Sequence, residues 1–161
     1  MPIKLTSDPP LVSIETYYVE EHKKQGHVIY HFIKSQEEMD NWKEKEYCVE
    51  DEKSDDTDPQ KIIYKLITAW KRLKWSDQNS IFSSCFRFLG EGENRNMEID
   101  PIRYRDLKLK SCLKRWNIVD EDDQPVPITP ENIDKLSADV AQELLNGFEK
   151  VTEIGSDDSK K

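Results

Sequence analysis

A chain of 161 residues, 35% hydrophobic and 35% charged, has room for one main domain of about 100–150 residues, with a leaner core than most globular proteins. Its 33 acidic residues against 24 lysines and arginines give a formal charge of −9, which makes nucleic acid and anionic membrane poor partners at long range. Cys48, Cys85 and Cys112 stand far apart with no CxxC pair, which argues against a disulfide framework and for buried, reduced thiols.

Residues 1–10, with Pro2, Pro9 and Pro10, read as an extended leader without the apolar stretch of a signal peptide. No apolar run in the chain approaches the ~20 residues needed to cross a bilayer. Residues 12–19 and 27–33 are rich in β-branched and aromatic side chains and flank a polar loop ending in Gly26, which predicts a hairpin. Ser35 and Glu38 have capping-box spacing, so a short helix with Met39 and Trp42 on one side follows, ending near Glu46. Residues 11–47 thus form a strand–strand–helix unit. Residues 48–60 read as an acidic linker, because 50–59 holds no apolar residue and four aspartates, without the ligand register or central glycine of a calcium loop.

The continuous apolar run 62–70 predicts a buried strand. Ser76 is positioned to cap a helix reaching about residue 88, with Ile81, Phe82, Cys85, Phe86 and Phe88 as a wide stripe, closed by Gly90-Glu91-Gly92. Asp100-Pro101 opens a second helix that the helical spacing of Ile102, Leu109, Cys112, Leu113 and Trp116 carries to residue 116. Its remaining faces hold Arg103, Arg105, Lys108, Lys110, Lys114 and Arg115. A polar turn at 120–124 and a short edge strand at 125–128 lead to a helical turn begun by Thr129-Pro130. Ser137 then caps a last helix striped by Val140, Leu144, Leu145, Phe148 and Val151. Residues 155–161 read as a disordered tail. The class expected is α+β: a helix-rich domain at 61–154 preceded by the hairpin and helix unit.

No catalytic constellation emerges, so the chain reads as a non-enzyme without cofactor or metal. His22, His27 and His31 sit in a strand pattern with no cysteine or carboxylate at ligand spacing to complete a zinc site. Ser83-Ser84-Cys85 lacks a glycine-flanked elbow and a nearby histidine, and Gly90-Glu91-Gly92 lacks the lysine of a phosphate loop. The basic residues of 103–115 are the strongest case for nucleic acid, but a solvated face pairing with the acidic loops is the reading preferred. Four tryptophans in a lean chain raise the prospect of an aromatic binding surface. The candidate partner-binding residues are Trp70, Trp75 and Trp116, together with Phe148, which Gly147 marks as a place where another backbone comes close.

Four stretches carry a resemblance: residues 70–79 (WKRLKWSDQN), Ile99-Asp100-Pro101, residues 113–118 (LKRWNI) and residues 125–136 (PVPITPENIDKL). Together they resemble the small tail-assembly proteins of tailed bacteriophages, above all their tail assembly chaperones, over residues 60–152. The resemblance implies a non-enzymatic protein of the host cytoplasm that holds the tape-measure protein and helps tail-tube subunits gather on it, and it is compatible with an oligomer. A minor virion protein of the neck, tail or baseplate and a small nucleic-acid-binding regulator are the alternatives.

Overall fold

The computed structural model describes residues 9–152 together with Ile3 and Leu5. The tail expected at 155–161, and much of the expected leader, lie outside the described residues. In chain order the elements are β1 (Val12–His22), β2 (Val28–Ile33), α1 (Gln36–Glu44), β3 (Cys48–Val49), β4 (Ile62–Trp70), α2 (Trp75–Ser84), β5 (Phe86–Leu89), β6 (Asn96–Ile99), α3 (Pro101–Cys112), β7 (Leu113–Trp116), α4 (Pro130–Asp134) and α5 (Ala138–Thr152). The fold is α+β, with antiparallel pairing dominating a five-stranded sheet and a separate two-stranded one.

The most deeply buried strand sits inside the large sheet. β4 pairs along one edge with β1, from Val12 opposite Trp70 to Val19 opposite Ile63. β2 pairs with the far side of β1, from Tyr17 opposite Ile33 to His22 opposite Val28. The second edge of β4 is divided between two short strands. β3 runs parallel beside Ile62 and Ile63, and β7 runs antiparallel beside Thr68, Ala69 and Trp70. Between them the side chain of Asn117 takes the place of a strand: its Oδ1 accepts from the Ile67 amide at 2.9 Å and its Nδ2 donates to the Lys65 carbonyl at 2.8 Å. One side-chain amide thereby satisfies two backbone groups that a gap in the ladder would otherwise leave to water.

Alternation along β4 divides the faces. Leu66, Thr68 and Trp70 face α3 and α5, in a core with Leu109, Cys112, Leu113, Ile133, Val140, Leu144 and Phe148. The Trp70 ring stacks on Phe148 with centroids 4.6 Å apart and planes at 9°. Thr68, buried among them, accepts the Trp70 indole N–H at 2.7 Å and donates to the Ile14 carbonyl at 3.3 Å, so neither polar group is stranded. The opposite face, with Val19, His31 and Ile63, meets α1, where the Trp42 ring lies 5.9 Å from His31 and 4.8 Å from Tyr47. Ser35 caps α1 as expected, accepting the Glu38 amide at 3.1 Å, while the Glu38 carboxylate accepts from Lys34.

Four expectations are corrected. The strand–strand–helix unit and the C-terminal domain are not separate bodies, because β1 and β4 share one ladder and Val12, Ile14, Tyr18, Tyr30 and Phe32 pack against the same core as α5. The acidic stretch is not a featureless linker: β3 pairs with β4, and Ser54 and Asp58 bond Thr57 and Gln60 in tight local turns. Neither long helix runs as far as its periodicity suggests. The first ends at Ser84 and the second at Cys112, and in both cases the residues beyond become strands, β5 and β7. For β7 the reason is the buried edge of β4, whose backbone groups at 68–70 need a partner more than the helix needs another turn. Residues 125–128 form no strand, only an isolated bridge between Val119 and Pro125.

Candidate protein-binding surface

The proposed aromatic binding residues separate sharply. Trp70 and Phe148 are 0% and 2% exposed and are occupied by each other, so their assignment to a partner surface is corrected to the core. Trp116 is half-buried at the sheet edge, opposite Thr68, and its indole donates to the Val126 carbonyl at 2.6 Å, pinning the 118–126 loop. The close neighbour of Gly147 is the chain's own β1: a Cβ there would meet Ile14 at 3.9 Å, an ordinary contact. Trp75 alone of the four lies open, at 81% exposure on the first turn of α2.

The feature that sequence reading missed lies between α2 and α3. Those two helices pack through Phe82 and Tyr104, whose rings stack 5.1 Å apart at 7°, with Gln78 donating to the Tyr104 hydroxyl at 3.1 Å. Cys85, fully buried, ends α2, and its carbonyl accepts from the Asp100 amide at 2.7 Å. Asp100 in turn caps α3 by accepting from Ile102 and Arg103. This clasp is the base of a hairpin formed by β5 and β6, which among the described residues pair only with each other. Gly90 and Gly92 take φ of 91° and 63° in its turn, a backbone region in which any side chain but glycine's is strained.

Register gives the hairpin two unlike faces. Phe86 stands opposite Ile99 and Phe88 opposite Met97, so four large apolar side chains share one face, each between 38% and 60% exposed. On the other face Arg87 pairs with Glu98 at 2.6 Å. Arg95 lies 4.2 Å over the Phe88 ring, a cation–π contact at the rim of the apolar face. Ile102, 68% exposed, follows at the start of α3. A two-stranded ribbon alone is marginally stable in water, and an uncovered apolar face and open edges are features that soluble proteins normally avoid. The sequence did carry a signal: Phe86 and Phe88 are two apart with Arg87 between, a spacing that fits one face of a strand and not of a helix.

The remaining motifs are absorbed by the fold. His31 lies 2.7 Å from Glu21 and His22 lies 3.1 Å from Glu20, and no group of three or more potential metal ligands occurs among the described residues. The basic residues of 103–115 do not form one stripe. Lys110 bridges Asp134 at 2.8 Å and Asp106 at 3.1 Å, Lys108 is buried beside Glu149 at 3.3 Å, Arg105 donates to Gln142, and Lys114 and Arg115 belong to β7. Among the described residues no helix is long and apolar enough to cross a membrane. No family model matches the chain, and no curated protein and no solved structure matches it.

Proposed function

We propose that this chain is a non-enzymatic protein-binding module whose docking surface is the apolar face of the β5–β6 hairpin, with the exposed Ile102 just beyond its base. The observation that carries the reading is the clasped hairpin presenting Phe86, Phe88, Met97 and Ile99 to solvent in a chain whose other large aromatics are largely packed away. The clasp at Cys85 and Asp100 pre-positions the ribbon, which lowers the ordering cost of binding. The particular role we propose is that of a phage tail assembly chaperone in the host cytoplasm, holding the tape-measure protein. An apolar clamp on an acidic body suits a client that is long, amphipathic and insoluble by itself.

Co-expression with a tape-measure protein and the tail-tube subunit, followed by affinity capture, tests both levels. The wild type is expected to bring the tape-measure protein into the soluble fraction, and Phe88→Asp with Met97→Asp to lose it while keeping the melting temperature. Retention by the double variant would sink the hairpin as the surface. If the protein occurs at fixed copy number in purified virions, the chaperone role gives way to that of a structural component.

A further inference from the structure

A second site stands apart from the hairpin and does not depend on it. α3 and α5 pack over Leu66 and Trp70 on their face of the large sheet, and at the margin of that core, towards Tyr64, a groove opens. There β1, β2 and β4 each contribute a tyrosine. Tyr18 is opposite Tyr64 in the register, with ring centroids 5.5 Å apart and planes at 24°, and Tyr30 meets Tyr18 edge-on at 5.8 Å and 65°. The 118–123 loop and the first turn of α5 rise as walls, enclosing a groove of about 630 Å³. That volume lies within the roughly 300–1,000 Å³ of small-ligand sites.

The charges around it are mostly of one sign. Glu20, Glu50 and Asp123 line the groove, against Lys135. Lys65 contributes to the wall, but its ammonium is drawn to Glu15, 3.2 Å away. Glu20 is two residues from Tyr18 on the same face and is approached by the exposed His22 at 3.1 Å. Among the described residues none hydrogen-bonds the hydroxyl of Tyr18, Tyr30 or Tyr64. Aromatic rings present negative faces, phenol oxygens accept hydrogen bonds, and carboxylates supply countercharge. An anion would be repelled, and a neutral apolar ligand would strip water from carboxylates without replacing it. Burial, and after it the charge of Glu20, raises the pKa of all three phenols, which favours their neutral, hydrogen-bonding form over phenolate.

We infer that this groove binds an alkylammonium group, seated on the Tyr18–Tyr64–Tyr30 row and countered by Glu20 and Glu50. A free polyamine and a lysine side chain of another chain both offer that group. The test is a titration of the full-length protein, followed by NMR of the tyrosine rings, with spermidine and with a capped Ala-Lys-Lys-Ala peptide. Saturable binding is expected, weakened at least about tenfold by Glu20→Gln and by Tyr64→Leu, and near wild type for Tyr64→Phe, which keeps the ring. Saturation by spermidine alone identifies a free amine, and tighter binding of the peptide identifies a lysine side chain. Melting temperatures establish that each variant is folded. Tyr64→Leu leaves every charge in place, so binding that survives it in the folded protein reflects net charge only and overturns the proposal. Absence of saturation by both probes does the same.

Discussion

Trp70 and Trp75 are five residues apart and opposite in fate. The first ends the central strand, stacked on Phe148 and tied to Thr68, and the second stands in water at the start of α2. The same contrast holds between the sheets. In the large sheet β4 is flanked on both edges and its Leu66-to-Trp70 end is covered by helices, whereas the β5–β6 ribbon has a largely exposed apolar face and, among the described residues, no further strand on either edge. Apolar character alone therefore does not tell core from docking surface. What separates them is whether the fold supplies a partner for the face on which the side chain lies.

The largest effects should fall on the covered region. Trp70→Ala is expected to cost about 3–5 kcal/mol and Leu144→Ala about 2–5 kcal/mol in urea denaturation, a large share of a stability of about 5–15 kcal/mol. Phe88→Ala and Trp75→Ala should each change stability by less than about 0.5 kcal/mol. If Phe88→Ala proved as costly as Leu144→Ala, the ribbon would have to be packed against something in the free protein and the contrast would collapse.

Asn117→Ala should have an intermediate effect, about 1 kcal/mol, because it removes both bonds that close the gap in the ladder while leaving water able to replace them. Hydrogen exchange should sharpen the result, with the Ile67 amide losing protection ahead of the amides at 62–63. Equal loss along the whole of β4 would mean that Asn117 supports the sheet globally instead of bridging one gap.

Proteolysis within 50–60 is expected to leave a nicked protein whose two fragments co-elute on gel filtration, since β1 and β4 remain paired across the cut. Fragments that separate without denaturant would restore two independent units.

A smaller effect concerns pH. Burial, and then the charges of Glu20 and Glu50, raise the Tyr18 pKa above its usual value near 10, and burial raises those of Tyr30 and Tyr64. The unfolded chain therefore releases these protons before the folded one does. The stabilisation is complete below about pH 10 and is lost as pH rises through the folded values. Melting temperature should fall on that limb, and Tyr18→Phe should flatten the fall. It should not abolish it, because Lys65 and Lys110, held protonated by Glu15 and by Asp134, act in the same direction. An unchanged slope in Tyr18→Phe would remove Tyr18 from this account.

The mildest test uses thiols. Cys85 and Cys112 are fully buried and burial pushes the Cys112 thiol up to about 11, while Cys48 is half-buried on the short β3. Iodoacetamide at about pH 8 should label Cys48 first and the other two only on unfolding. Early labelling of Cys85 would indicate that the hairpin base opens, and so that the ribbon is not held as its clasp suggests.

Much of this was legible locally. The opening hairpin, the Ser35 cap, the strand at 62–70, the Asp100-Pro101 helix start and the stripe of α5 are each written in a few neighbouring residues, because caps and amphipathic periods act over one or two turns of chain. The candidate hairpin surface was not legible, since Phe86 and Phe88 were absorbed into a helical stripe; of the residues named for a partner, Trp75 is the one that lies exposed.

What the tertiary structure decided were the questions of partnership. That residues 113–116 leave a helix to pair with β4, that Asn117 completes the ladder, that 11–47 and 61–154 share one core, and that Trp70 and Phe148 spend their faces on each other all depend on groups far apart in the chain, from 43 residues between Trp70 and Leu113 to 78 between Trp70 and Phe148. The sequence by itself determined which residues are apolar and how they repeat. Which of those residues find cover depends on long-range contacts, whose loop-closure cost and edge-filling gain have no local signature.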